Sequence, residues 1–172
     1  MTVRPATAAD AEAIWQIFKA VVAGGDTYVF APDTPRQVAL DYYLGANVHS
    51  WVAEEDGCIH GFATIGPSQT QEADGTNVGE LYGLYVDPAT WRRGYGRLLI
   101  AHARNLLVER GFIEAVLWVL RGNERAEAFY RADGWSKDGA ERDDDIGPGW
   151  RAASTASCDI PVIHELRYRR RL

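Results

Sequence analysis

Apolar residues first recur at helical spacing in Ile14, Ile17, Phe18 and Val21. They follow Thr7-Ala8-Ala9-Asp10, where a hydroxyl can cap a helix and a carboxylate suits its first turn. The pattern predicts a helix running to Gly24-Gly25, preceded by a short strand over residues 2–4. Thr34-Pro35-Arg36-Gln37 combines a capping-box pattern with proline at the first helical position, so a second helix is expected to run to Gly45. The period then changes. Residues 50–54 and 59–65 are β-rich runs joined at Asp56-Gly57, a dipeptide suited to a tight type I′ turn, and they predict a hairpin. Residues 67–77 read as a polar loop, and residues 79–86 as a strand that stops at Asp87-Pro88. Leu98, Leu99, Ala103, Leu106 and Leu107 mark an amphipathic helix from Arg97 that Gly111 can close. Residues 113–119 are almost continuously apolar, as in a strand covered on both faces. Asn123 can cap a short helix that carries Ala126, Phe129 and Tyr130 and ends at Gly134. Closing strands are expected near residues 135–138 and 162–169, with a loop over residues 141–161 long enough to be functional or mobile.

This order describes a mixed α/β chain, and no repeat or linker divides residues 1–172, so one domain is expected. A net charge of −6 argues against nucleic acid or an anionic membrane as partner, because a polyanion would be repelled overall. Arg169-Arg170-Arg171, the one dense basic run, reads as the solvated end of the last strand. Cys58 and Cys158 lie a hundred residues apart and signal neither a metal site nor a redox pair, so two packed, reduced thiols are expected. His49, His60, His102 and His164 show no metal-ligand spacing, and no metal is expected. The N-terminus lacks a secretory pattern and no stretch of about 18 apolar residues occurs, which fits a cytoplasmic protein.

Candidate chemistry begins at the turn after Asp87-Pro88. A strand that turns through Arg93-Gly94-Tyr95-Gly96 into a helix offers free N–H groups and a positive dipole end to an anion, with phosphate the natural ligand. Glycine at 94 and 96 permits close approach, and Arg92, Arg93 and Arg97 add charge. A GxG alone fits an ordinary tight turn equally well. There is no GxxxxGK[ST], and the third glycine of a dinucleotide fingerprint falls on Leu99.

With the strand before it, this turn resembles the central motif of the GNAT N-acetyltransferase superfamily, Q/R-x-x-G-x-G/A, with Trp91 at the Q/R position. A second segment, Asn123-Glu124-Arg125-Ala126-Glu127-Ala128-Phe129-Tyr130-Arg131-Ala132-Asp133-Gly134-Trp135, is similar to the superfamily's N-x-x-A-x-x-F-Y-x-x-x-G-F. The resemblance implies a mixed central sheet of about six or seven strands with splayed central strands, flanked by about four α-helices. It also implies acetyl-CoA as acetyl donor. Leu84, Tyr85 and Val86 would line pantetheine, Arg92, Arg93, Gly94, Tyr95, Gly96, Arg97 and Leu98 would cradle the diphosphate, and Asn123 would bond the pantetheine arm. Arg92 or Arg93 would supply the charge absent at Trp91.

Acetyl transfer from a thioester needs a neutral amine, a polarised carbonyl and a thiolate leaving group. Glu80 resembles the superfamily's general-base glutamate, and 80, 82, 84 and 86 would share one face of a regular strand; a water chain is the alternative base. A backbone N–H near Leu84 or Tyr85 would polarise the carbonyl, and Tyr130 would donate to the departing sulfur. Residues 26–30, with Tyr28 and Phe30, correspond to the region covering the acceptor pocket and, with residues 32–35, resemble the amino-acid or phosphinothricin-type branch. Those aromatics could equally pack beneath a loop. Tyr82 and Trp118 are candidate pocket walls, Trp118 reading more readily as core. The expected acceptor is therefore a small-molecule amine, an amino acid or a relative of one. A protein amine, or a non-catalytic acyl-CoA sensor, are the alternatives. A homodimer is compatible with the long segment over residues 141–161, which could cross to a partner.

Overall fold

Among the described residues seven strands hydrogen-bond into a single sheet in the order β1-β2-β3-β4-β5-β7-β6. The computed structural model describes residues 1–24, 35–46, 48–70, 77–145 and 162–172. The strands are β1 (Thr2–Pro5), β2 (His49–Glu55), β3 (Cys58–Pro67), β4 (Val78–Val86), β5 (Glu114–Leu120), β6 (Ser136–Asp145) and β7 (Val162–Arg171). Among the described residues the α-helices are α1 (Ala11–Ala23), α2 (Arg36–Leu44), α3 (Tyr95–Glu109) and α4 (Glu124–Ala132). None of these helices is long and apolar enough to cross a membrane. The mixed sheet and four helices match the expected fold class.

The apolar stripes decide which face each helix covers. Ile14, Phe18, Leu40 and Tyr43 of α1 and α2 pack against Val52, Phe62 and Tyr85 on one face of the sheet. Leu99, Ile100 and Leu107 of α3 pack on the other, against Ile65, Leu81, Leu117 and Leu166. Asp56 and Gly57 take positive φ at the β2–β3 turn, as a type I′ hairpin requires.

Every strand pair is antiparallel except β4–β5, which is parallel and paired only at Val78–Glu114, Gly79–Ala115 and Glu80–Val116. Beyond that pinch, among the described residues, Leu81 and Gly83 to Val86 pair only with β3, and residues 117–120 only with β7. The two central strands therefore splay, and the gap between them forms the cleft described below.

Several local expectations need correction. Pro35 stands at the N-cap of α2 with no side-chain cap bond, one position before its predicted place. Gln37 bonds Asp41 Oδ1 at 2.7 Å instead of reaching back to the helix start. Ile113 precedes β5 and is exposed. Cys58, first residue after the hairpin turn, is exposed rather than packed, while Cys158 lies outside the described residues. The strand β6 runs to Asp145, well into the predicted loop. Its polar run hid it from a pattern reading, because charge pairs with β7 hold it: Arg142 Nε donates to Glu165 at 2.6 Å, and Asp143 meets His164 at 2.5 Å. Such a charged strand at the sheet edge also discourages further pairing. Arg169 is not merely solvated, since it bonds Glu114 at 2.8 Å and Asp138 at 3.0 Å.

At the N-terminus, Asp10 accepts from both Arg4 Nη atoms at 2.8 Å and from the Thr7 backbone N–H at 2.7 Å. These bonds hold its carboxyl at about 2, below the usual 3.8, with the Arg4 bond the largest cause. The shift is downward, so its stabilisation is complete above about pH 4 and is lost as pH falls towards 2. Asp10→Asn is expected to cost about 1–2 kcal/mol at pH 7, less than a fully buried ionic bond because Arg4 is part-exposed. Urea titrations at pH 7 and pH 2.5 check this, and an equal cost at both would refute it.

Candidate active site

The cleft between β4 and β5 has a volume of about 1260 Å³ and passes from the α3–α4 face of the sheet to the α1–α2 face. Its first wall is the end of β4 with the turn into α3. Asp87 receives the Ala89 N–H on its carboxylate at 2.9 Å, which tightens a single 3₁₀ turn over residues 88–90. Arg92 then takes φ +68° and Gly94 φ +99°, two left-handed residues before Tyr95 begins α3. The left-handed conformation makes glycine the fitting residue at 94, while a Cβ on Gly96 would meet Phe129 at 3.4 Å. The α3 N-terminus thus opens on the cleft, with Arg92 and Arg97 among the lining residues.

Arg93 and Leu98 do not line the cleft; Arg93 is exposed and Leu98 half-buried. Tyr95 does line it, but its hydroxyl is given to Glu55 at 2.7 Å and its ring stacks on His60. Trp91 departs from the motif yet is firmly built in: its indole N–H donates to the Val86 carbonyl at 2.8 Å, and the Arg125 guanidinium lies over its ring at 3.6 Å.

The strand β4 does not keep the regular alternation expected of it. Thr64 pairs with Gly83 and Ile65 with Leu81, leaving Tyr82 as the extra residue of a β-bulge. Glu80 and Tyr82 lie towards α2, where the Tyr82 ring meets Tyr42 at 6.1 Å. After the bulge the phase flips. Leu84 and Val86 pack with α3, whereas Tyr85 packs under α1 and α2 with its hydroxyl receiving that of Tyr43 at 2.7 Å. Residues 80, 82, 84 and 86 therefore do not share a face.

The second wall comes from β5 and α4. Asn123 lines the cleft while its side-chain oxygen caps α4 on the Ala126 N–H at 3.0 Å. Tyr130 also lines it, with Phe129 and Trp135 against its ring. Its hydroxyl has no hydrogen-bond partner among the described residues, and burial, followed by Tyr85, pushes its pKa well up. The phenol stays protonated at every working pH.

On the α1–α2 face, Glu80 is buried just outside the lining, and its Oε2 receives the Gln69 N–H at 2.8 Å. Burial, with Glu80 next in effect, raises Tyr82 to about 12, and the Tyr82 hydroxyl donates to the Pro67 carbonyl at 2.5 Å. Trp118 belongs to the cleft wall more than to the core, with Arg142 over its ring at 4.2 Å. Tyr28 and Phe30 lie outside the described residues.

Glu165 and Arg125 are among the lining residues that the sequence pattern did not assign. Glu165 is a buried carboxylate on β7, paired with Arg142. The alternation of Ile163, Glu165 and Arg167 on one face was the available signal. Arg125 sits two residues after the cap Asn123, inside a segment already singled out, where its charge was the signal.

A family model for the acetyltransferase (GNAT) family matches residues 14–135. The chain is 35% identical over 79 residues to the uncharacterized N-acetyltransferase YuaI of Bacillus subtilis (strain 168), covering 46% of this chain and 44% of that one. It is 32% identical over 111 residues to the peptidyl-lysine N-acetyltransferase YiaC of Escherichia coli (strain K12), covering 64% and 65%. The matched segments thus span between about half and two thirds of these relatives' lengths. Among solved structures, YncA of Salmonella typhimurium, determined with its cofactor acetyl-CoA, superposes with a TM-score of 0.74 at 20% identity over 99% of this chain and 93% of that one, which shows a shared fold.

Proposed function

The chain belongs to the acetyltransferase (GNAT) family, and from that premise we propose that it transfers the acetyl group of acetyl-CoA directly to the amine of a small molecule, an amino acid or a related amine. The observation that carries this reading is the splay itself: an anion-seeking helix N-terminus opens at one end of the cleft, a protonated Tyr130 stands on its wall, and Glu80 and Tyr82 lie on its far face. YncA, of the same fold, was solved with acetyl-CoA, which supports acetyl-CoA as donor.

When bound, acetyl-CoA supplies a thioester whose carbonyl an amine can attack. The α3 N-terminus with Arg92, Gly94, Gly96 and Arg97 holds the diphosphate, and the free edge of β4 over residues 81–86 orients the arm. A β4 backbone N–H near Leu84 or Tyr85 would polarise the carbonyl, and Tyr130 would give its hydroxyl proton, or a hydrogen bond, to the sulfur. Glu80 takes the amine proton through water, because it lies beside the lining rather than in it. Asn123 keeps the α4 wall in place through its cap.

Release of free thiol from acetyl-CoA, measured across amino acids, polyamines and lysine-containing peptides, tests the reading. Turnover on a small amine supports it. Turnover on peptides alone would make the acceptor a protein lysine, as in the relative YiaC, and CoA binding without any turnover would leave a sensor. Glu80→Gln is expected to lower kcat about tenfold at neutral pH with little change in the KM of acetyl-CoA. An unaltered pH profile of kcat/KM in that variant would assign the proton to a water chain instead.

A further inference from the structure

The position where the family motif carries Gln or Arg holds Trp91, and the two arginines next to it do not both reach the cleft, since Arg93 is exposed and outside the lining. A cation arrives from the opposite wall instead. Arg125, in the first turn of α4, lines the cleft and lies 3.6 Å from the centre of the Trp91 ring. Trp91 in turn is tied to the end of β4 through its N–H bond to the Val86 carbonyl. The indole is therefore a fixed platform, and the guanidinium on it is held beside the turn that leads into α3. Stacking engages the flat face of a guanidinium, whereas phosphate is read by its edge, so the two contacts are compatible. A side chain already ordered by the stack also loses less freedom when a ligand arrives.

We propose that Arg125, seated on Trp91, is a phosphate-binding residue for the nucleotide end of acyl-CoA, with Trp91 its positioning residue. The cation of the turn has moved from the loop to the helix across the cleft, where Arg125 lines the same cleft as Arg92 and Arg97. This inference rests on the acyl-CoA reading above. Two phosphate groups of CoA share the relevant chemistry, the diphosphate and the 3′-phosphate.

Calorimetric titration of CoA and of 3′-dephospho-CoA into the wild type, Arg125→Gln, Trp91→Gln and the double variant tests it without any turnover. Arg125 is exposed and its replacement leaves the core intact. Arg125→Gln should weaken CoA about tenfold, the worth of one charge-assisted contact, and flatten the salt dependence of binding. Trp91→Gln should weaken it about threefold alone and add nothing in the Arg125→Gln background, a non-additivity that a purely structural tryptophan would not give. Loss confined to CoA assigns the contact to the 3′-phosphate, and equal loss with both ligands assigns it to the diphosphate. If wild type and Arg125→Gln bind CoA with equal affinity, the inference falls while the acyl-CoA reading stands; if no variant or wild type binds CoA, both fall.

Discussion

Tyr130→Phe is expected to slow acetyl transfer by about 10- to 1000-fold while leaving CoA affinity nearly unchanged. The change deletes one oxygen and keeps the ring, so the contacts with Phe129 and Trp135 persist and the α4 wall is undisturbed. What disappears is the hydroxyl that faces the cleft without a partner among the described residues. Burial raises its pKa, followed by the influence of Tyr85, so the group is a donor throughout the neutral range and adds no limb of its own to the pH profile. Loss of such a donor affects only the step in which charge collects on sulfur, so kcat and kcat/KM should fall together. Single-turnover measurement with saturating amine isolates that step. If the chemical rate of Tyr130→Phe equals that of wild type there, Tyr130 belongs to the packing of α4 and has no part in proton transfer.

Much of the frame was legible because it rests on local chemistry. Asp56-Gly57 needs two positive φ angles and takes them, Gly94 occupies the left-handed conformation before α3, and Asn123 caps α4. What escaped depends on neighbours. The bulge at Tyr82 arises from the β3–β4 register, which no period within residues 78–86 reveals, and it moves Leu84 and Val86 away from the face of Glu80. The strand over residues 141–145 has no apolar alternation because its pairing is ionic. Arg125 stood in plain view within a matched segment, but only the fold sets it against Trp91, 34 positions earlier. The acceptor side was least legible: Trp118 sits opposite Arg167 and Glu165 opposite Leu120 through β5–β7 pairing, and Glu165 joins Arg142 through β6–β7 pairing.

The splay itself depends on a small pinch, and a packing cycle should expose it. Leu107 on α3 is fully buried, and a Cβ built on Gly79 would lie 2.5 Å from its Cδ2 and 3.0 Å from Phe112 Cδ2. Gly79 pairs with Ala115 at the centre of the three-pair contact between β4 and β5, so the absence of a side chain there lets α3 press directly on the point where the strands join. Leu107→Ala is expected to cost about 2–5 kcal/mol, the range for emptying a buried leucine site. Gly79→Ala alone should cost about 1–3 kcal/mol by overpacking against that leucine. Together they should cost less than their sum by about 1 kcal/mol or more, because the new methyl enters space that the leucine vacated. Urea unfolding of the four proteins of the cycle gives these values directly. Additivity within about 0.5 kcal/mol would mean that the two sites do not share one packing contact. The coupling expected here would tie the seat of α3, and with it the phosphate-facing helix N-terminus, to the same few atoms that hold β4 and β5 together before they part.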